Sequence, residues 1–426
     1  DAAENRAFVD AYLDQQPNHL GERFRKALIT HTAGHPLFTI ELLHAMQTRG
    51  DLVQENSYWV EQASLDWKTL PARIEGVIDE RLNRLEEEYY EILTVASVEG
   101  VVFTPQVLAH VQGISDRQLM RQLSRELEHR HRLVEEQEGV FVGDNWLGRY
   151  RFSNAMFQQY IYNNTSEGER RILHRTIGEI LEELYQRYEE EFAVQLVRHF
   201  AGDRKREQRY AKLAGEQAAR QFANHEALTY FSRALALTAE DEYQERYELL
   251  MAREAVYNLL GERDSQKADL EALRALAALW EQQGDGPGWA ELETRWASYT
   301  SYIDHHESER FAERAVSLAK SEGKLKIAVE AYLIWSITSR IQGEYPTAFQ
   351  LADEGVTIAR EIGDLRGEGR LLNLLGLITL EQKDPTTARH IFEQALGIAR
   401  EIGEIQNEAQ PLTNLGIIAG NEGDYN

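Results

Sequence analysis

The sequence predicts a mostly α-helical protein: a helical domain and a winged-helix domain, followed by an α-solenoid. Three observations carry that expectation. The last third of the chain repeats itself at a spacing of 40 residues; helix-period apolar residues fill the middle; and an order of helices then hairpin precedes them. Between about Phe311 and Tyr425, Ala319, Ala359 and Ala399 stand 40 apart, as do Gly323, Gly363 and Gly403. Ala348 answers Ala388, and Leu375-Gly376 answers Leu415-Gly416, while Ala352 and Phe392 share only apolar character. Each period holds two helical patterns. Small residues let the paired helices approach, and such pairs bury a continuous core only by stacking.

Composition narrows the function classes. The 426 residues suffice for two to four domains, and 42% hydrophobic residues support real cores. There is no cysteine, which excludes disulfide frameworks and thiolate metal sites. No apolar run approaches the roughly 20 residues that span a bilayer, and no signal segment opens the chain, so a cytoplasmic location without membrane contact is expected. A formal net charge of -25 disfavours a broad nucleic-acid or anionic-membrane surface. The chain opens in helical sequence and stops at Gly423-Asp424-Tyr425, where another helix should begin. It is therefore expected to be a piece of a longer protein.

In order, residues 4–16 and 20–30 predict two helices around the breaker Pro17-Asn18-His19. Gly34 offers backbone angles closed to other residues, and Pro36 suits the first turn of a helix running through Leu37, Ile40 and Leu42 toward Gly50. Leu52-Val53 and Tyr58-Trp59-Val60 predict a small hairpin, with Trp67, Leu70 and Pro71 as connector. Val77, Ile78, Leu82 and Leu85, then Tyr89, Ile92, Leu93 and Ala96, follow helical spacing up to Gly100. A helix is expected to start at Phe103-Thr104-Pro105. Ser115 and Asp116 cap the next, over 116–130, with Leu119, Leu123 and Leu127 on its buried stripe. Arg132-Leu133-Val134 and Phe141-Val142 read as two short strands around Glu135–Gly139, and Tyr150-Arg151-Phe152-Ser153 as the lead into another helix. This order predicts the winged helix. Its recognition-helix candidate carries Arg117, Arg121, Arg125, His129 and Arg130, but Glu135, Glu136 and Glu138 oppose phosphate approach, so packing is the expected use. Beyond His174 the pattern is wholly helical. Gly284-Asp285-Gly286-Pro287-Gly288 is the clearest loop, and Trp280, Trp289, Trp296, Tyr299 and Tyr302 around it are read as mainly inter-helical packing. The domains expected are 1–69, 70–174, 175–303 and 304–426.

Catalytic signatures are missing. No Gly-rich phosphate loop with its Lys and Ser/Thr occurs, and no nucleophile elbow. His305-His306 beside Asp304 and Glu307 lacks a spaced ligand set for a metal. The residues alone point to a binding and switching piece and not to a self-sufficient enzyme.

Thr32-Ala33-Gly34-His35-Pro36-Leu37-Phe38, continuing through Glu41-Leu42-Leu43, resembles a motif of signal-transduction ATPases with numerous domains (STAND), the MalT-like regulators among them. In that family a Gly-x-Pro corner in the helical domain beside the ATPase core contacts the nucleotide base. The resemblance implies that Gly34 shapes this corner, that Pro36 is the adenine contact, and that Leu37 and Phe38 anchor it from beneath. Leu70 to His174 resembles the family's winged-helix domain, whose usual end is matched by Tyr150-Arg151-Phe152-Ser153-Asn154, Arg170-Arg171 and Leu173-His174. Many relatives place a phosphate-sensing histidine where this chain has Asn154, whose amide still donates a hydrogen bond but acquires no charge. The repeats are similar to tetratricopeptide repeats.

The resemblance implies a regulatory arm and sensor. ADP or ATP would bind in the full-length protein, bridging an upstream ATPase domain of the same chain; this fragment alone would not hold it tightly. An inducer or protein ligand would bind the repeats, and activation would assemble a homo-oligomer. The alternative is a passive tetratricopeptide-like adaptor. A third reading, a DNA-binding regulator acting through residues 103–142, is opposed by the acidic flanks.

Overall fold

A computed structural model describes residues 2–32, 34–62, 65–67, 70, 74–143, 145–185, 188–284, 286–403 and 405–422. The described residues are almost entirely helical, and the chain divides into two compact units, Asp1–Ala201 and Gly202–Asn426.

The first unit begins with α1 (Ala2–Leu13), α2 (Glu22–Thr32) and α3 (Pro36–Arg49). Gly50, at φ 81°, ends α3 in a left-handed cap. Val9, Leu13, Phe24, Leu28, Leu42 and Met46 form their shared core. The expected hairpin is present as β1 (Leu52–Glu55) and β2 (Tyr58–Glu61). Its two-residue loop, Asn56-Ser57, has both φ angles positive, as the tight turn matching strand twist requires. Trp67 packs on Phe24 with ring centroids 5.4 Å apart, and Leu70 is buried; Pro71 lies outside the described residues.

α4 (Ile74–Leu82) and α5 (Glu87–Glu99) follow, then β3 (Val102–Phe103), α6 (Pro105–Gln112) and α7 (Asp116–Gln122). Phe103 does not start a helix as expected. It pairs with Tyr150 in a sheet, and the helix starts one residue past Thr104, at Pro105. Ser115 caps α7 by accepting from the Gln118 amide at 3.3 Å. The helix expected over 116–130 changes character at Leu123 and runs on as a π-helix to Arg130, while Leu119, Leu123 and Leu127 are all buried.

The two short strand candidates prove to be one strand, β4 (Val134–Val142), and Tyr150-Arg151-Phe152 belongs to its partner β5 (Asn145–Phe152) rather than to a helix lead-in. Sheet order β3-β5-β4 explains the error: β4 is an edge strand, so Glu135, Glu136 and Glu138 stay in water without breaking it. A register shift between Gln137 and Val140 absorbs Gly139, over which Trp146 lies so closely that a Cβ there would meet the indole at 2.6 Å.

α8 (Ala155–Asn164), α9 (Glu167–Leu184) and α10 (Glu189–His199) close the unit. The break expected after His174 falls inside the single helix α9. Here the His174 and His199 Nδ1 atoms stand 3.0 Å apart, and the Tyr162 hydroxyl meets His174 Nε2 at 3.1 Å. Burial, reinforced by Arg198 and Arg170, lowers His174 to about 4; burial, then His174 and Arg198, lowers His199 to about 3. Nearby Glu99 is raised to about 7 by burial, against the hydrogen bond from Thr104.

These shifts act in opposite senses. Below the ordinary histidine range the unfolded chain takes up two protons that the folded form refuses until about 4 and about 3, so acid destabilises the unit. Above the ordinary carboxylate range the unfolded chain releases a proton that folded Glu99 keeps until about 7, so stability falls as pH rises through that window. Glu99→Gln removes only the second loss. Urea melts should show the variant gaining about 3 kcal/mol over the parent near pH 8 and almost nothing near pH 4.

The second unit is a succession of antiparallel helices: α11 (Arg204–Arg220), α12 (Asn224–Leu237), α13 (Tyr243–Leu260), α14 (Arg263–Gln282) and α15 (Ala290–Thr300). The regular set is α16 (His305–Ser321), α17 (Leu325–Ile341), α18 (Tyr345–Ile362), α19 (Leu365–Glu381), α20 (Pro385–Ile402) and α21 (Ile405–Glu422). Starts at 305, 345 and 385, and at 325, 365 and 405, reproduce the 40-residue period. Ala319, Ala359 and Ala399 are buried between stacked helices, and Gly323, Gly363 and Gly403 turn the chain at φ 69°, 70° and 75°. Gly376 faces Phe392 so closely that a Cβ would meet the ring at 2.5 Å.

The same arrangement recurs earlier: Gly215 faces Phe231, again 16 residues on, with a Cβ at 2.7 Å from the ring. Trp296 and Tyr299 are buried packing residues, whereas Tyr302 is exposed, with Arg263 over its ring at 4.2 Å. The helix expected near Tyr425 lies outside the described residues. Among the described residues no helix is long and apolar enough to cross a membrane.

Candidate functional site

The Gly-x-Pro corner is a locked turn. Thr32 ends α2, its hydroxyl donating to the Leu28 carbonyl at 2.9 Å and accepting from the Gly34 amide at 3.2 Å. The Thr39 hydroxyl reaches the same oxygen at 3.0 Å, which ties the next helix to the corner. Gly34 is buried at φ 69°, where a side chain is disfavoured. His35 caps α3 by accepting the Phe38 amide, so Pro36 occupies the first helical position without losing a needed donor. The Pro36 ring is exposed and Phe38 is buried; the Leu37 side chain lies outside the described residues.

Asn154 is placed differently. It is the N-cap of α8, its Oδ1 accepting from the Met156 amide at 2.9 Å. Cap formation uses the acceptor and leaves the amide NH2 as a donor at a helix N-terminus, where the helix dipole favours anions.

Arg81, which the sequence reading passed over, joins the two helices. Its guanidinium pairs with buried Glu41 on α3 and donates to the carbonyls of His131 at 2.7 Å and Arg132 at 3.2 Å. It also lies 5.1 Å from the centre of the Phe157 ring on α8. The Ser153 hydroxyl donates to the Arg132 carbonyl at 3.0 Å, so the approach to Asn154 is fixed to the same point. Pro36 and Asn154 thus sit at the starts of two helices held in register by one cation. Nothing marks Arg81 among the 46 lysines and arginines of the sequence, because its role depends on partners 40 to 76 residues away.

In the second unit a small cavity of about 140 Å³ opens between α19, α20 and α21. Arg370 and Asn373 line it, Arg370 bonded to Glu330 at 2.6 Å and Asn373 accepting from Asn414 at 3.0 Å. Asp304 caps α16 through the Glu307 amide at 3.1 Å, and among the described residues no group of three or more His, Asp or Glu could hold a metal.

No family model matches this chain, and no curated protein matches it. Solved structures do align. A STAND protein with a tetratricopeptide repeat sensor from Pyrococcus horikoshii aligns at 13% identity and a TM-score of 0.43, over 98% of this chain. The alignment spans 63% of that protein. Aspartyl phosphate phosphatase F from Bacillus subtilis aligns over 80% of this chain and 78% of its own, at 12% identity and TM-score 0.45. A Rap protein complexed with competence and sporulation factor aligns over 80% and 85%, at 13% and 0.44.

Proposed function

We propose that this chain is the regulatory arm and sensor of a nucleotide-controlled signal-transduction ATPase. The observation that carries the reading is the corner at Thr32–Pro36: a rigid turn that exposes a proline ring, with an asparagine amide at the start of a second helix tied to it through Arg81. In this reading residues 70–174 form the winged helix, Pro36 meets adenine and the Asn154 amide meets phosphate. An ATPase core of the same protein supplies the phosphate loop and the hydrolysis. The chain itself contributes binding and restraint.

The repeats, tetratricopeptide-like in this reading, would receive the inducer or a protein ligand. Such a ligand changes the nucleotide state only if it binds the resting and active forms unequally, and active protein then assembles into an oligomer. ADP release from the intact protein, followed before and after its inducer is added, tests the coupling. Release should accelerate; an unchanged rate leaves the passive adaptor, in which the array binds its partner without nucleotide control.

A further inference from the structure

The first unit also holds a basic pocket whose wall includes Arg81 but whose other arginines the nucleotide reading does not use. It is a cavity of about 400 Å³ between the C-terminal half of α3, the helix α4 and the end of the π-helix, within the size range of small-molecule sites. His44, on its wall, lies two turns along α3 from Pro36, about 12 Å at the helical rise. The pocket is therefore not the corner itself.

Four guanidinium groups line it: Arg81, Arg84, Arg130 and Arg132. That concentration is unexpected in a chain of net charge -25. Their commitments differ. Arg81 is consumed by Glu41 and the two carbonyls, Arg84 bonds Glu80 at 2.7 Å, and Arg130 bonds Glu126 at 3.0 Å. The Arg132 side chain has no hydrogen bond or ion pair among the described residues, and its backbone sits at φ 53°, where a long side chain is disfavoured. The π-helix before it, a form that recurs at functional sites, sets the direction in which His129 to Arg132 leave the helix.

We infer that this pocket binds a compact phosphate-bearing anion, held by the free fork of Arg132 with Arg84 and Arg130. Guanidinium forks match phosphate oxygens two at a time, and their partners Glu80 and Glu126 are surface pairs that an anion can displace at little cost. Burial holds His44 and His131 below the ordinary range; Glu41 opposes this at His44 ahead of Arg81 and Arg132, while Arg130 reinforces it at His131 against Glu126. Nucleic acid fits poorly, because a polyanionic strand leaving the pocket would meet the acidic edge strand with Glu135, Glu136 and Glu138.

Tripolyphosphate titrated calorimetrically into the chain at low salt is the direct test. Binding is expected, and Arg132→Gly should weaken it by about tenfold or more, the loss of one charge-assisted hydrogen-bonding group. Glycine keeps the left-handed backbone, so this variant folds as the parent does. Arg84→Gln should weaken binding similarly, whereas Arg151→Gln, exposed on the sheet and paired with Glu135, should leave it unchanged. Cosedimentation with vesicles containing phosphatidylinositol bisphosphate, lost in Arg132→Gly, would make the natural source a lipid headgroup; its absence alongside tripolyphosphate binding makes it a free anion. No binding at millimolar tripolyphosphate, or equal affinity in the parent and Arg132→Gly, overturns the site.

Discussion

Phe392→Ala should lower the stability of the helical-repeat unit by about 3–5 kcal/mol, the range for removing a fully buried aromatic ring. The ring has 0% exposure and fills the space left by Gly376, which no side chain could share without displacing it. The pair is therefore coupled. Gly376→Leu alone should cost about 1–3 kcal/mol through overpacking. With Phe392→Ala it should cost less than the sum, because the leucine enters the vacated volume. Stacked repeats contact only their neighbours, so hydrogen exchange should accelerate in α19 to α21 and stay unchanged in α11 and α12. Phe222→Ala is the control: that ring is 73% exposed and the same chemical change should be nearly silent. Equal losses in both variants would mean that the array is not held by this contact.

Arg81→Ala should cost the first unit about 3–5 kcal/mol, because it leaves the Glu41 carboxylate buried without a partner. Glu41 is 9% and Arg81 21% exposed at the side chain, so water replaces little of what is lost. The carbonyls of His131 and Arg132 lose their donor as well, and Phe157 its cation. Glu41→Gln should cost less, since a neutral amide leaves the arginine its two carbonyls. In a double-mutant cycle followed by urea unfolding, the pair should show a coupling of at least about 1 kcal/mol. Additive losses would remove Arg81 from its place as the tie between α3 and α8.

What the sequence disclosed follows from where side chains repeat. Glycines at identical offsets announce left-handed helix ends, so the 40-residue array is legible in the sequence alone. The Gly34 to Pro36 corner was legible for the same reason, since both residues act through their own backbone. The middle helices were harder to read. Gly215 and Phe231 repeat the contact of Gly376 and Phe392 161 residues earlier, one residue off four periods, but the residues around them do not repeat. Between them, buried Glu254 accepts from Gln266 at 2.6 Å and from Arg295 at 2.8 Å, so polar residues occupy positions that an apolar pattern would have marked. The acidic edge strand misled the reading because charge suggests a loop, whereas an edge strand needs only one paired side. Arg81 and Arg132 gave no local signal at all. Asn154 was found through a motif, and its cap to Met156 became visible only with the helix in place.

In the proposed function the first unit is one side of a nucleotide clamp. Amide hydrogen exchange of the intact protein, with and without ADP, addresses this at residue level. Protection should rise at residues 34–39 and again at 154–157, the two helix starts that Arg81 holds together. Bound ADP that leaves both segments exchanging at their unliganded rates would contradict it.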